Sequence, residues 1–196
     1  ELAECVDIAA TDIENMVKFA KDNAIDLVMV APDDPLVLGM VDAMEKEGIR
    51  AFGPRANAAI IEGSKAFSKE LMKKYNIPTA NYEVFTDSTS AIDYIKAQNT
   101  FPTVIKADGL ALGKGVIIAQ NLEEAEQAVH EMIDDGKFGK SGSRVVIEEF
   151  LTGPEVSVLA FTDGKTVKPM VSAQDHKRAY DNDEGLNTGG MGTFSP

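Results

Sequence analysis

Tryptophan is absent from these 196 residues, cysteine occurs once and histidine twice. A single cysteine, Cys5, excludes an intramolecular disulfide framework and a cysteine-built zinc site, and it suits a reducing, cytoplasmic compartment. Without a partner, Cys5 reads as a small buried residue. No apolar run approaches the ~20 residues of a membrane span, no signal peptide is visible in this stretch, and it holds no glycosylation sequon. Positive charge is scarce: 19 Lys and Arg against 32 Asp and Glu give a net charge of −13. That balance excludes a general nucleic-acid binder, which needs a basic field. It leaves room for a small phosphorylated ligand held in a local site of lysines and glycines. An initiator methionine is also missing. The chain opens in mid-pattern at Glu1-Leu2-Ala3 and stops at Pro196 after a Gly-rich stretch, so it reads as a fragment of a longer protein.

What is present is a globular composition, with 44% hydrophobic and 26% charged residues, enough for one or two domains. Thr11 and Asp12 cap a helix to about Asn23, with Ile13, Met16, Val17 and Ala20 on one face. Residues 26–30 read as a short buried strand, 31–35 as a turn, 36–47 as a helix ended by Gly48, and 49–52 as the next strand. The alternation predicts an α/β unit with a parallel sheet, whose ligands bind beyond the carboxyl ends of the strands, beside the Asp33-Asp34 turn. A short helix over 56–61 precedes one capped by Ser64, with Phe67, Leu71, Met72 and Tyr75 at helical spacing. Residues 76–86 connect to a second pattern: helix 87–98, strand 103–106, a Gly-rich loop, strand 115–119, helix 121–135 and strand 144–149. After Glu149 the pattern turns antiparallel, with strands over 155–161 and 166–172 about a turn at 162–165. From Gln174 the chain is polar and Gly-rich.

Three segments carry chemistry-bearing residues. The first runs from Val104 to Val116, where two strands flank a loop with Gly109, Gly113 and Gly115 and with Lys106 and Lys114 at its ends. Glycine backbone can approach a polyphosphate closely, and the lysines can neutralise it. It is neither a Walker A loop nor a GxGxxG fingerprint. Read alone, it fits a flexible hairpin with solvated lysines equally well. The second segment is Ile147-Glu148-Glu149-Phe150-Leu151 with Glu155. It suits either a structural linker or a strand offering main-chain groups to an adenine edge, an apolar side chain to its ring, and Glu155 to a ribose. The third is Gln174-Asp175-His176-Lys177-Arg178 followed by Asn187-Thr188-Gly189-Gly190-Met191-Gly192, either a solvated loop or a site for a phosphorylated or carboxylate substrate. His130 falls on the exposed side of a helix. Residues 181–192 fail as an EF-hand, because the glycine comes one place early and the twelfth position is Gly192. There is no zincin motif and no G-x-S-x-G, and no nucleophile is assigned.

Taken in this order and spacing, these stretches resemble the ATP-grasp family, and within it the phosphoribosylamine–glycine ligases. Phe52-Gly53-Pro54, Glu62-Gly63-Ser64-Lys65-Ala66-Phe67 and Ile77-Pro78-Thr79-Ala80 also match, and the resemblance runs from about residue 52 to 192. It implies an ATP-grasp fold, α/β and in part α+β: residues 1–81 would be the end of a Rossmann-like parallel-sheet domain with connecting helices. Residues 82–150 would be a small ATP-lid subdomain, and 151–196 the start of the main ATP-grasp subdomain. It implies that Lys65 and Lys106 contact the nucleotide phosphates, that Gly109, Gly113, Lys114 and Gly115 belong to a flap over them, that Glu148, Glu149, Phe150 and Leu151 form the adenine hinge, and that Glu155 holds ribose. Asp175, His176, Lys177, Gly189, Gly190 and Met191 would line the substrate site, with Lys106, His176 and Lys177 closest to the chemistry. Asp33 would be a further substrate contact on a shorter arm than usual, since Ala31-Pro32-Asp33-Asp34-Pro35-Leu36 stands where the family has Gly-Pro-Glu-x-Pro-Leu.

The implied reaction joins glycine to 5-phosphoribosylamine through a glycyl phosphate, consuming ATP, in purine biosynthesis. Mg²⁺ (or Mn²⁺) is implied, with its acidic ligands expected beyond residue 196. Such phosphoryl transfer needs positioning and charge neutralisation rather than a protein nucleophile. The implied partners are small molecules, with no nucleic acid and no membrane. Another ATP-grasp carboxylate–amine ligase and a nucleotide-binding module without turnover stand as alternatives.

Overall fold

The computed structural model describes residues 2–111 and 115–196. Gly113 and Lys114, expected in the flap, lie outside the described residues. Contacts divide the chain into one unit up to Phe150 and another from Leu151 to Pro196.

The first unit begins with α1 (Ile13–Asp22), whose N-cap Asp12 accepts from Asn15 N at 3.1 Å. Its apolar stripe of Ile13, Met16, Val17 and Ala20 packs on Val30, Met40, Val41 and Met44, as the spacing predicts. Strand β1 (Val28–Met29) pairs in parallel with β2 (Ala51–Phe52). These strands are shorter than expected and covered on one face. Val28 and Ala51 join the core, while Leu27, Met29 and Phe52 are exposed. The helix expected over 36–47 is two helices, α2 (Asp33–Val37) and α3 (Met40–Lys46). Gly39 at φ +90° breaks the run between them, in a left-handed conformation that costs glycine little. The expected turn at Asp33-Asp34-Pro35 is therefore the first turn of α2, where proline forfeits no helical hydrogen bond. Asp33 is exposed there, just past the carboxyl end of β1.

Helices α4 (Ala56–Gly63) and α5 (Lys65–Lys74) meet at Ser64. Asp42 of α3 supplies the cap that Arg55 cannot, accepting from Ala56 N at 2.8 Å. On α5 the buried positions are Ala66 and Lys69, whereas Phe67 and Tyr75 of the expected apolar stripe are exposed. The helix lies against a charged sheet face, described below, and that chemistry overrides the hydrophobic pattern.

The connection at 76–86 holds an unforeseen strand, β3 (Tyr82–Phe85). It joins β4 (Thr103–Ala107), β5 (Val116–Ala119) and β6 (Val145–Glu149) in an antiparallel sheet ordered β3-β6-β4-β5. Helices α6 (Ser88–Gln98) and α7 (Leu122–Ile133), capped by Asp87 and Asn121, cover one face. There Ile105, Ala107, Val145 and Ile147 meet Ile92, Ile95, Val129 and Met132. Each buried Val, Ile or Met among them contributes roughly 1.5–3 kcal/mol. Alternation along β4 and β6 turns Val104, Lys106, Val146 and Glu148 to the opposite face. His130 is exposed on α7 and bonded to Asp134 at 2.6 Å, as expected of a surface histidine.

The second unit is antiparallel throughout. Strands β7 (Ala160–Thr162) and β8 (Val167–Pro169) form a hairpin, and a bridge joins Ser157 to Ala173. The polar, Gly-rich end is not a loop: β9 (Gln174–Tyr180) pairs with β10 (Glu184–Phe194), with register shifts between Glu184 and Gly192.

Cys5 is exposed rather than buried, because it precedes the first helix in an irregular stretch. Among the described residues, no helix is long and apolar enough to cross a membrane.

Candidate functional site

The site of the first unit starts from two turns of chain. Ser64 sits at the N-terminus of α5, and Asp108 follows β4. The buried Asp108 carboxylate accepts from Ser64 Oγ at 2.9 Å, from Ala66 N at 2.7 Å and from Arg144 Nε at 3.0 Å. Main-chain bonds reinforce the junction: Lys65 N donates to Asp108 O, and Asp108 N to Arg144 O, each at 3.0 Å. A carboxylate at a helix N-terminus satisfies an otherwise orphaned amide and favours the helix dipole. The clamp fixes α5 on the sheet and so fixes where Lys65 and Lys69 project.

From that frame three lysines converge. Lys65 Nζ donates to Gly109 O at 3.0 Å. Lys106 and Lys69 both reach the same oxygen, Glu148 Oε2, at 3.0 Å each. Glu148 is 6% exposed, and its Oε1 has no hydrogen-bond partner among the described residues. A buried acceptor left unpaired costs free energy until a donor arrives, so it marks a place for a ligand's N–H or O–H. Burial holds the Lys65 ammonium below the ordinary lysine range; the charge of Asp108 works against this shift and that of Lys106 adds to it. Lys65, Lys69, Lys106 and Glu148 thus form one cluster with an excess of positive charge, suited to a polyanion.

The glycines beside it have packing reasons. A side chain on Gly109 would stand 2.8 Å from Ser141 Cβ, and one on Gly115 would stand 2.8 Å from Ala111 Cβ. Gly109 N donates to Ser141 O at 3.3 Å and Gly115 O accepts from Ala107 N at 2.8 Å, so both are tied into the fold.

Glu148 and Glu149 part company. Strand alternation turns Glu149 to the other face, where it accepts from Asn81 N at 2.9 Å and Asn81 Nδ2 at 3.0 Å. A concavity of about 160 Å³ opens beside it, bounded by Asn81, Tyr94, Gln98 and Thr103. Phe150 and Leu151, at the end of β6, are exposed.

In the second unit, Lys177 bonds Glu155 and lies 3.8 Å from Asp175. Its hydrogen bond to the Glu155 carboxylate holds the Lys177 ammonium above the ordinary lysine range. Asp175 and Lys177 share a face of β9, while His176 alternates to the other, its ring 5.7 Å from that of Phe194. Thr188 Oγ1 donates to Lys177 O at 2.9 Å and accepts from Gly190 N at 3.0 Å. Gly190 has φ +126°, so the Gly189-Gly190-Met191 segment turns where a side chain at 190 would be strained. Those three residues are exposed.

The sequence therefore pointed to Lys65, Lys106 and Glu148, which meet, and to Asp175, Lys177 and Glu155, which meet. It gave no role to Lys69, Asp108 or Arg144. The signal for Lys69 was its place four residues after Lys65, on the same side of a helix. Among the described residues no group of three or more His, Cys, Asp or Glu side chains is gathered to hold a metal.

Comparison with known proteins gives a consistent result. Residues 1–62 match the phosphoribosylglycinamide synthetase N domain and residues 63–196 its ATP-grasp (A) domain. The chain is 55% identical over 196 residues to a phosphoribosylamine–glycine ligase of Halalkalibacterium halodurans, covering all of this chain and 46% of that protein. It is 55% identical over 193 residues to that of Haemophilus influenzae, covering 98% of this chain and 45% of the other. It thus spans about half the length of the curated relatives it matches. The crystal structure of phosphoribosylamine–glycine ligase from Thermotoga maritima has a TM-score of 0.66 and 41% identity, over 74% of this chain and 37% of that one. A biotin carboxylase domain of Hydrogenobacter thermophilus, crystallised with MgADP, shares the fold at TM-score 0.74 and 19% identity, over 91% of this chain and 41% of that one.

Proposed function

The chain belongs to the phosphoribosylglycinamide synthetase family, and from that premise we propose that it serves, within its full-length protein, the ATP-dependent ligation of glycine to 5-phosphoribosylamine. The products are glycinamide ribonucleotide, ADP and phosphate. On this reading residues 1–81 complete a Rossmann-like domain, 82–150 form the ATP lid and 151–196 begin the main ATP-grasp subdomain, all in a cytoplasmic enzyme of purine biosynthesis.

The observation that carries the proposal is the convergence of Lys65 and Lys106 beside the Gly109 turn. Two ammonium groups held by the fold would neutralise a triphosphate without reorganising when charge shifts in the transition state. Glu148 would accept from the base through its unpaired Oε1, and Phe150 and Leu151 would offer main-chain groups and apolar surface at the strand end. Gly113 and Lys114, with Gly109 and Gly115, would form the flap that keeps water from a glycyl phosphate. In the second unit Glu155 would meet ribose hydroxyls, and Asp175, His176, Lys177, Gly189, Gly190 and Met191 would bind glycine and the phosphoribosylamine phosphate. Asp33 would be a further substrate contact. Mg²⁺ (or Mn²⁺) adds charge neutralisation when bound. The described residues form no cradle for it, and its ligands would come from outside them.

The test is ADP release by the full-length protein with ATP, Mg²⁺, glycine and 5-phosphoribosylamine, omitting each in turn. Release that needs both co-substrates is expected, and Lys106→Ala should abolish most of it. ADP release indifferent to glycine or to the amine would reject the reading.

A further inference from the structure

Lys69 has no part in the reading above, yet it is the most thoroughly bound of the three lysines. Its side chain is 10% exposed; Nζ pairs with the Glu148 carboxylate, 3.0 Å from Oε2, and donates to Thr79 Oγ1 at 2.7 Å and to Ala80 O at 3.4 Å. Two of the ammonium's three donors are hydrogen-bonded, and its charge faces the Glu148 carboxylate. The Tyr82 ring lies 5.5 Å away as a further wall. Lys69 is therefore turned inward, its charge committed to Glu148 rather than presented to solvent. Lys106 is the opposite: 27% exposed, with Glu148 Oε2 as its one hydrogen-bond partner among the described residues, it keeps donors free.

Charge decides what this arrangement does. A lone Glu148–Lys106 pair sums to zero, and a neutral pair attracts a polyphosphate weakly. With Lys69 on the same carboxylate oxygen the group sums to +1, and Lys65 adds a second charge nearby. Resting on the nucleotide reading, we propose that Lys69 is a positioning residue: it neutralises Glu148 from the buried side, so that the carboxylate orients Lys106 without cancelling the charge Lys106 presents to the phosphates. Such a residue acts on the charged part of the ligand far more than on the base, which Glu148 would meet through its other oxygen, or on the ribose.

The experiment compares binding of ATP and of adenosine to the full-length protein by titration calorimetry. Lys69→Met and Lys69→Gln are expected to weaken ATP on the order of tenfold and adenosine far less, because a unit charge has gone from a poorly screened site. Lys69→Gln keeps a donor for Thr79 and carries the test where the methionine variant does not fold. Adding Glu148→Gln to Lys69→Gln removes the uncompensated anion and should recover much of the preference for ATP over adenosine. Equal loss of both ligands in Lys69→Gln, or no recovery in the double variant, overturns the proposal and leaves Lys69 as a packing residue. If the wild-type protein shows no preference for ATP over adenosine, the phosphate site itself is rejected, and this inference with it.

Discussion

Asp108 and Arg144 are joined through side chain and main chain alike: Arg144 Nε and Nη2 both donate to the Asp108 carboxylate, at 3.0 Å and 2.5 Å, and the Asp108 N–H donates to the Arg144 carbonyl at 3.0 Å. Side chain and main chain thus lock the ends of β4 and β6 together, and the same carboxylate caps α5 through Ala66 N.

Asp108→Ala would leave Ser64 Oγ, Ala66 N and the guanidinium without their acceptor. We expect a loss of about 3 kcal/mol, the range for removing one partner of a buried charged network. Urea denaturation reads it as a lower midpoint at unchanged slope. A loss under about 1 kcal/mol would mean that water replaces the carboxylate and that the clamp is not needed.

Glu148→Ala should be costlier than Lys106→Ala. The first strands Lys69 in a 10% exposed position, for which about 3–5 kcal/mol is usual. The second removes a lysine that is 27% exposed, and Glu148 keeps Lys69. Paired denaturation curves give the order directly, and the reverse order would refute the account of Lys69 as the buried partner.

Gly109→Ala places a methyl group 2.8 Å from Ser141 Cβ and 3.1 Å from Ser141 Cα. Overpacking of this kind costs about 1–3 kcal/mol. Ser141→Gly in the same chain should restore part of the loss by vacating the space. If the double variant is no more stable than Gly109→Ala alone, the contact is not the cause.

Burial lowers the Lys65 pKa in the folded protein below its ordinary value of 10.5. Between the lowered folded value and 10.5 the unfolded chain binds more protons, so the Lys65 contribution to stability rises with pH across that window. Its penalty is fully present below the folded value and gone above 10.5. The stability gained by Lys65→Met over wild type, followed from neutral pH upward, should therefore fall as pH rises. A difference that is flat with pH would show that Lys65 is not desolvated.

Much of the molecule was legible because local chemistry and tertiary packing agree. Asp12, Ser64, Asp87 and Asn121 stand one residue before the helices they start. Lys106 and Glu148 were visible because charged residues sat beside a Gly-rich loop or at the edge of an apolar strand, whereas Lys65 was reached through the family resemblance alone. What escaped has physical causes too. Strand β3 is short and half-exposed and lies between Pro78 and a helix cap, so it carries no run of alternation. Strands β9 and β10 are held by main-chain bonds, with polar side chains and glycines on a largely exposed hairpin, and leave no apolar period to read. On α5 the apolar residues suggested one buried face, but Asp108 and Glu148, distant in sequence, draw Ala66 and Lys69 inward instead.

Two identical residues in succession look redundant, yet Glu148 and Glu149 have opposite tasks. The first is sealed against Lys69 and Lys106; the second accepts from the main-chain and side-chain nitrogens of Asn81. A slip of β6 by one residue would exchange these faces. It would set Ile147 before the lysines and Glu148 toward Asn81, abandoning the buried cations while gaining nothing in return. The pair therefore works as a handedness mark on the strand: it lets the folding chain tell one side of β6 from the other, and it penalises a misregistered sheet more heavily than the apolar residues Val145, Val146 and Ile147, which suit either side, could do.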